Sequence, residues 1–444
     1  MPTLSVTTNA NGWQEMSLGE FCEIYQPKTI SRKQMIEDGE YPVFGANGVI
    51  GRYNEYNHEN SELLITCRGA TCGSVNVSLP KSWITGNAMV VRPDETLVLR
   101  RYLEYAFQGP INLSSVITGS AQPQITRTNL SPVRFAFPPL SEQQLIVNIL
   151  DKAFAKIHNS KEQLEQKIHN ANEFIKSQLQ ECFSKNIVSE IDHEGAFRLK
   201  SDLFSAKKML LENGMLKKKK DDLNYPITKI PFETPDNWTW VYLTDVSIIQ
   251  EGPGIRKFQY SSEGVQFLTV TNILEGSVDL EKSKKYISLE EYNQKYQHFT
   301  INKGDIVTAC SGASWGKSAI FESEELLILN TSTLRLRFFN DLGVNKYLYY
   351  LTKTSYFKQR LSSHSTGQQP NYGYSHYSII PIPLPPINEQ VAISELLDSL
   401  FENTQLLKEN YQLELTNYEN LKQSILQEAF NGTLRIAEGL ADES

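Results

Sequence analysis

Apolar residues recur every three or four positions along two long stretches of the chain, the spacing that places side chains on one face of a helix. In the first stretch they are Ile146, Leu150, Ala153, Ile157, Leu164, Ile168, Ala171, Ile175 and Leu179. In the second they are Ile393, Leu397, Leu400, Leu407, Tyr411, Leu415, Tyr418 and Leu426. Each stretch predicts a helix of about 43 residues, roughly 65 Å long, that begins after a proline pair with Ser141 or Asn388 as its N-cap.

The two helical stretches belong to an internal repeat. Residues 139–183 align without a gap to 386–430, with 15 identities in 45 positions at an offset of 247. Weaker similarity links 13–24 to 238–249 at an offset of 225, and RGATCG (68–73) to SGASWG (311–316) at an offset of 243. The change of offset indicates an insertion in the second half, near residues 250–300. The chain is therefore predicted to be a duplication, in which each half is a globular unit followed by a helix.

Two such helices in one chain most simply pair with each other as a coiled coil. An alternative interpretation, in which each helix packs only on its own globular unit, stays open at this point. The polarity of the pair also stays open, because the 47 residues between the helices could span about 65 Å in either direction.

The globular stretches contain short β-branched or apolar runs separated by Gly, Asn and Pro, which is typical of strands and turns. The predicted strands are 63–66, 88–92, 305–309, 326–329 and 333–338, and helical segments are predicted at 101–107 and 346–361. This mixture predicts an α+β fold built on a twisted antiparallel sheet. Between the halves, residues 184–230 include KKKKDD and are predicted to be a solvated linker.

The composition favours a folded protein of two to four domains, since 444 residues exceed the usual size of a single core and 40% of them are hydrophobic. The polar N-terminus lacks a signal-peptide pattern, and no apolar run reaches the length of about 20 residues that spans a bilayer, so we expect a cytoplasmic protein. Its five scattered cysteines are expected to be free thiols. Cys67 and Cys72 have no neighbouring histidine, so we expect no metal site.

The sequence contains no complete catalytic motif of the kinds considered. Residues 312–318 imitate a phosphate-binding loop, but only three residues separate the glycines and the following residues are predicted to be a strand rather than a helix. The sequence has no dinucleotide fingerprint, no nucleophile elbow and no histidine pair at zinc spacing. We therefore predict a protein without catalytic residues of its own.

The order of parts closely resembles the specificity subunit of type I restriction-modification enzymes. The resemblance rests on the Gln-Pro repeated at 122–123 and 369–370, on the proline run with its P-(L/I)-x-E-Q helix start, and on YPVFGANGVIG (41–51) followed by LLITCRGATCGSV. It extends over nearly the whole chain, from about residue 12 to residue 430.

The resemblance implies two target-recognition domains, each of which reads one half of a bipartite double-stranded DNA site, separated by two helices that form an antiparallel coiled coil. It also implies two modification subunits as partners, with restriction subunits in the full complex, which would methylate adenine N6 and cleave DNA with ATP. S-adenosylmethionine, ATP and Mg²⁺ are expected on those partners and not on this chain. The expected parts are a flexible tail (1–11), a first domain (12–140), a first spacer helix (141–183), a linker (184–230), a second domain (231–386), a second spacer helix (387–430) and a tail (431–444).

Base readers should be polar or basic side chains on exposed loops, because Arg and Lys suit guanine and Asn and Gln suit adenine in the major groove. The candidates in the first half are Asn47, Arg68, Thr71, Gln122, Gln124 and Arg127. Those in the second half are Arg256, Lys257, Ser311, Ser314, Lys317, Gln368, Gln369, Asn371 and Tyr372. Gln122 and Gln369 recur in both halves, so an alternative role for them is to brace the loop before the helix. Trp13 and Trp238 are interpreted as core anchors rather than as stacking platforms for bases.

The charge distribution argues against tight DNA binding by the chain alone. The formal net charge is −8, and by region it is −1 for each globular stretch and −6 for residues 387–430. Because phosphate neutralisation supplies much of DNA affinity, we predict that partner subunits provide much of the backbone grip. The acidic helix would face either a basic patch on a partner or solvent. A coiled-coil scaffold without DNA specificity is the alternative function, and it leaves the two divergent globular units without a role.

Overall fold

The computed structural model describes residues 7–9, 12–45, 47–119, 122–217, 227, 230–363 and 371–433. The chain divides into two compact units, of which the first comprises 1–166 with 410–444 and the second comprises 167–409. The divisions fall inside both long helices, so each unit contains one globular region together with segments of both helices. Within the described ranges, no helix is both long enough and apolar enough to cross a membrane.

The first unit contains one four-stranded and two three-stranded sheets. Its central sheet has the order β3-β9-β6-β7 with every pair antiparallel, and the strands predicted at 63–66 and 88–92 are confirmed as β6 and β9. The sheet β5-β4-β8 contains a parallel pair, β4 with β8. Thr7 and Thr8 pair with β2, so the predicted tail 1–11 contributes a short strand. The strands are β1 (Thr7–Thr8), β2 (Gln14–Ser17), β3 (Cys22–Tyr25), β4 (Tyr41–Gly45), β5 (Gly48–Tyr53), β6 (Leu63–Thr66), β7 (Val75–Val77), β8 (Trp83–Ile84), β9 (Ala88–Pro93) and β10 (Arg134–Phe137), and the helices are α1 (Leu18–Phe21), α2 (Arg100–Gln108), α3 (Arg127–Leu130) and the start of α4 (Leu140–Glu181).

The second unit contains two four-stranded sheets, β12-β19-β16-β17 and β14-β13-β18-β15, and the pair β11-β20. In the second of these sheets β13 pairs antiparallel with β14 and parallel with β18, as β4 pairs with β5 and β8 in the first unit. The helix predicted at 346–361 is divided into α8 and α9, because the Thr354 side chain accepts the Phe357 N–H and caps a new helix. The elements are α5 (Gly195–Glu212), β11 (Thr239–Tyr242), α6 (Leu243–Val246), β12 (Ser247–Glu251), β13 (Val265–Phe267), β14 (Tyr286–Ile287), α7 (Leu289–Glu291), β15 (Thr300–Ile301), β16 (Ile306–Ala309), β17 (Ser318–Ile320), β18 (Leu327–Ile328), β19 (Thr333–Phe338), α8 (Asn345–Lys353), α9 (Ser355–Ser362), α10 (Tyr374–Ser378), β20 (Pro381–Leu384) and the start of α11 (Ile387–Phe430).

The linker between the halves is not uniformly solvated, and that part of the prediction is wrong. Helix α5 lies inside it and buries Leu199 and Leu203 in the core of the second unit. Lys207 on the same helix pairs with Asp245 of α6 at 3.0 Å. This burial follows from the apolar residues at 196, 199, 203 and 206, whose spacing places them on one face of a helix. The prediction rested on the charged run that follows this helix and did not use that spacing.

The long helices pair with opposite polarity. In the first unit Lys161 of α4 forms an ion pair with Glu419 of α11, and the earlier residue Phe154 lies 5.2 Å from the ammonium of the later residue Lys422. Residue numbers therefore rise along one helix as they fall along the other. The antiparallel coiled coil is confirmed, and the interpretation in which the helices contact only their own globular units is excluded.

The predicted seam of α4 is buried or half-buried at every position, whereas one member of the α11 seam is wrong. Leu407 is 41% exposed, and Thr404 and Lys408 are half-buried instead. Half-buried or buried positions at 397, 401, 404, 408, 411, 415, 418, 422, 425 and 429 alternate steps of four and three, and Leu407 falls outside that series. Trp13 and Trp238 are both 5% exposed, as expected of core anchors.

The repeated Glu-Gln at each helix start has a structural role. Gln143 is fully buried, and its side-chain oxygen accepts the Leu99 N–H at 2.8 Å while its amide group donates to the Leu97 and Pro138 carbonyls at 2.7 and 2.8 Å. Gln390 is buried in the same way in the second unit. The helices begin at Leu140 and Ile387, so the predicted N-caps lie in the first turn, and the preceding proline carbonyls accept the first helical N–H bonds.

Candidate nucleic-acid interface

In the first unit, loops that are distant in sequence meet at one end of the central sheet. The Ile125 N–H donates to the Cys67 carbonyl at 2.9 Å, and the Gly69 N–H donates to the Pro123 carbonyl at 3.1 Å. A β-bridge also joins Arg68 to Gln124. The turn after β6 is therefore held against the segment that precedes α3, which brings together two parts of the chain more than 50 residues apart.

These loops present most of the first-half candidates to solvent. Arg68, Thr71, Gln122, Gln124 and Arg127 are all exposed. Asn47 is also exposed, at the turn between β4 and β5, where its side-chain oxygen accepts a hydrogen bond from Asn76 of β7 at 3.2 Å. All six predicted residues therefore lie on exposed loops or loop ends of one unit.

The second unit repeats this arrangement with different side chains. The Tyr372 N–H donates to the Cys310 carbonyl at 2.9 Å, as Ile125 does to Cys67, and a bridge joins Ser311 to Asn371. Asn371 is exposed, whereas Ser311, Ser314 and Lys317 are half-buried.

Glycines shape the turn after β16 as they shape the turn after β6. Gly312 and Gly316 have φ values of +66° and +79°, and the matching Gly69 and Gly73 have values of +86° and +89°. Residues with side chains rarely adopt this conformation, so the repeated glycines preserve one turn geometry in both units. The turn enters strand β17 at Ser318, which confirms the prediction that a strand and not a helix follows these glycines.

Tyr372 does not meet the exposure that a base reader needs. It is 3% exposed, with its ring centroid 5.1 Å from that of Trp315. Neighbouring residues of an extended segment point to opposite sides, so Tyr372 points into the core because Asn371 is exposed. In the first unit Ile125 is buried beside the exposed Gln124 in the same way. Gln368 and Gln369 lie outside the described residues.

Arg256 and Lys257 are exposed on the loop that leaves β12. The loop starts beside the other candidates of the second unit, because the Gly252 N–H donates to the Thr333 carbonyl at 2.9 Å and Glu251 accepts the N–H of Tyr374. The same end of the second unit therefore gathers loops from β12, β16 and the segment before α10.

Sequence reasoning missed Arg32 and Lys33 of the first unit. They lie on a 3₁₀ turn, Arg32–Gln34, that matches Lys257–Gln259 at the offset of 225 already evident for residues 13–24. In both turns the glutamine side chain accepts the N–H of the residue before the turn, at 2.9 Å from Ser31 and 2.8 Å from Arg256. Extending the weak front repeat by ten residues would have found them.

Five cations of these loops differ in their pairing from three arginines of the sheets. Among the described residues, the exposed Arg32, Lys33, Arg68, Arg256 and Lys257 have no ion-pair partner. By contrast, the strand arginines Arg92, Arg335 and Arg337 are all paired with carboxylates. An unpaired exposed cation keeps its full charge for a phosphate or a guanine edge. No group of ligating side chains able to hold a metal ion occurs in the described part of the chain.

Comparisons with known proteins agree on one family. The family model described as "Type I restriction modification DNA specificity domain" matches residues 10–170 and 235–417. The MjaVIII type I restriction enzyme specificity subunit of Methanocaldococcus jannaschii is 23% identical over 442 residues, covering 96% of this chain and 93% of that protein. The EcoprrI specificity subunit of Escherichia coli is 32% identical over 150 residues, 32% of this chain and 36% of that one.

Two solved structures have the same fold. One, from a study of complex assembly and conformational transition of the type I R-M system, has a TM-score of 0.62 at 15% identity and covers 96% of this chain and 100% of that chain. The other, the HsdS subunit from Thermoanaerobacter tengcongensis, has a TM-score of 0.51 at 15% identity, covering 98% and 100%.

Proposed function

Because the chain belongs to the type I restriction-modification DNA specificity family, as a specificity subunit with two specificity domains, we propose that each of its units reads one half of a bipartite DNA site. The observation that carries the proposal is the repeated loop frame. The same backbone bonds hold the loops of both units, while the exposed side chains on them differ. Two different half-sites require this combination of one frame and two sets of readers.

We assign the chemistry to partner subunits. Two modification subunits would bind S-adenosylmethionine and methylate adenine N6, and restriction subunits would use ATP and Mg²⁺ to cleave DNA. The antiparallel helices would set the spacer between the half-sites and dock the modification subunits. We propose the cytoplasm as the location, because the DNA and the partner subunits would be found there.

The charges of the chain support shared DNA binding. Each globular stretch has a net charge of −1, so the exposed cations of the loops act locally, against an overall negative field. The isolated chain should therefore bind DNA weakly, with much of the phosphate contact supplied by the partners. Nanomolar binding by the isolated chain that persists at high salt would contradict this division of labour.

The test is selection of bound duplexes from a randomised library, with and without a co-expressed modification subunit, followed by sequencing. We expect two short blocks separated by a fixed unspecified gap, recovered only with the partner. Gln124→Ala and Asn371→Ala form a matched pair, because they occupy the same loop position of the two units. Each should relax one block and leave the other unchanged. If folded complexes select no motif, the scaffold function replaces the DNA-reading one.

A further inference from the structure

The most exposed large hydrophobic side chain of the described residues is Phe258, which is 87% exposed. It lies at the tip of the 3₁₀ turn Lys257–Gln259 in the second unit, directly after two exposed cations, Arg256 and Lys257. A phenyl ring that stays in water contributes no buried apolar area to folding. Its position therefore calls for a partner that covers it.

Contacts on both sides of the turn fix the backbone that carries this ring. The Gln259 side chain accepts the Arg256 N–H at 2.8 Å and donates to Glu291 at 2.6 Å and to the Tyr296 hydroxyl at 2.9 Å. On the side before the turn, Ile255 is buried in a small core of the unit. The tip is therefore fixed on both sides, and little backbone ordering remains to be done when a partner binds.

The surroundings of the ring favour a planar anionic partner. Neither Arg256 nor Lys257 has an ion-pair partner among the described residues, and Lys285 lies nearby, with its ammonium 5.6 Å from the Tyr260 ring. A nucleic acid offers phosphates to such cations and bases to such a ring, and proteins that distort duplexes use apolar side chains of this kind between base steps. In the matching turn of the first unit, Arg32 stands where the second has Lys257, Ser31 where it has Arg256, and Lys33 where it has Phe258.

We propose that Phe258 is a wedge that stacks against a base of the half-site read by the second unit and partly unstacks one base step, while Arg256 and Lys257 hold the flanking phosphates. This inference rests on the proposed DNA-reading function and assigns one residue a role within it. The first unit, with Lys33, contacts its half-site by charge alone at this position. The distortion of the DNA is thus confined to one half-site.

The experiment uses the full chain with its modification subunits and duplexes that contain the selected bipartite motif. 2-Aminopurine, which brightens when unstacked, is placed at successive positions of each half-site. The target adenine that a modification subunit flips should be bright in each half-site of every complex. Beyond it, we expect one further bright position in the half-site of the second unit. That position should be lost in Phe258→Ala, together with about 10- to 100-fold weaker binding, and retained in Phe258→Trp. Lys33→Ala is the matched control, which should reduce the salt dependence of binding by about one ion and leave the fluorescence unchanged.

The proposal is overturned if Phe258→Ala binds the motif with wild-type affinity and keeps the further bright position. It is also overturned if Phe258→Ala no longer purifies with the modification subunits, because the ring would then contact protein. Failure of the proposed function has a different signature, since the wild-type complex would then select no bipartite motif at all.

Discussion

Replacement of Gln143 by alanine should destabilise the first unit far more than the same replacement of a neighbouring surface residue. The substitution removes three hydrogen bonds of a buried side chain, to Leu99, Leu97 and Pro138. It leaves the Leu99 N–H without its acceptor at the start of α2. At roughly 1 kcal/mol for each lost bond, with a larger cost for an unsatisfied buried donor, the loss is about 3–4 kcal/mol.

Hydrogen exchange of the intact chain, read by mass spectrometry, measures this loss locally. A destabilisation of about 3 kcal/mol should speed exchange in the 95–108 region by roughly 100-fold. Gln144→Ala is the matched control, since that side chain is exposed and, within the described ranges, bonds to Asn148 alone, at 2.9 Å. The second unit provides an internal reference whose exchange should not change.

The same reasoning must hold in the second unit. Gln390 accepts the Val344 N–H at 2.9 Å and donates to the Pro385 carbonyl at 2.9 Å, so Gln390→Ala removes two bonds and should cost about 2–3 kcal/mol. If either variant exchanges within a factor of three of its control, the glutamines are not structural braces and the motif needs another explanation.

Three further variants test other parts of the structure. Asp305→Asn should lower the free energy of unfolding of the second unit by about 3 kcal/mol, because the buried Asp305 neutralises Arg335 at 2.9 Å; calorimetry with an unchanged transition would contradict this. Cys72 is half-buried, with its thiol pKa raised by burial, while the other cysteines are buried, so iodoacetamide should modify Cys72 first, and equal modification of all five would refute the packing. The hydrogen bond from Lys161 holds the pKa of Glu419 below its ordinary 4.5, so its stabilisation is present above that pH and is lost as the pH falls through the lowered pKa. Glu419→Gln should therefore cost about 0.5 kcal/mol at pH 7 and nothing in acid, and a cost that persists in acid would exclude the ion pair as its cause.

The long helices and the central strands could be predicted because local periodicity records burial directly. Periodicity gives a wrong prediction at Leu407, which is apolar but lies one position outside the buried series. The half-buried positions there are Thr404 and Lys408, which have the correct spacing although they are polar. Periodicity also fails where a charged run draws attention from a short apolar face, as in α5.

Identity between the repeats does not fix the environment of a residue. Glu142 and Glu389 occupy the same position of the repeated helix start, yet Glu142 is exposed and Glu389 is fully buried. The difference comes from the chain after α4, whose Ile187 N–H donates to Glu389 at 2.9 Å. Such a contact joins positions 202 residues apart, and no local pattern records it.

The sequence predicted which loops form the candidate site but not how those loops lie against one another. Their geometry comes from hydrogen bonds between backbone groups far apart in the chain, such as that between Ile125 and Cys67. Once the two units are compared, the bonds are the same and the tips differ: Arg68 stands where the second unit has Ser311, and Lys33 where it has Phe258. A duplicated scaffold kept only for stability would need the shared bonds and would place no demand on the exposed tips. A reader of two different half-sites needs both features, so the contrast between constant backbone and divergent side chains is the strongest structural reason to assign recognition to these loops.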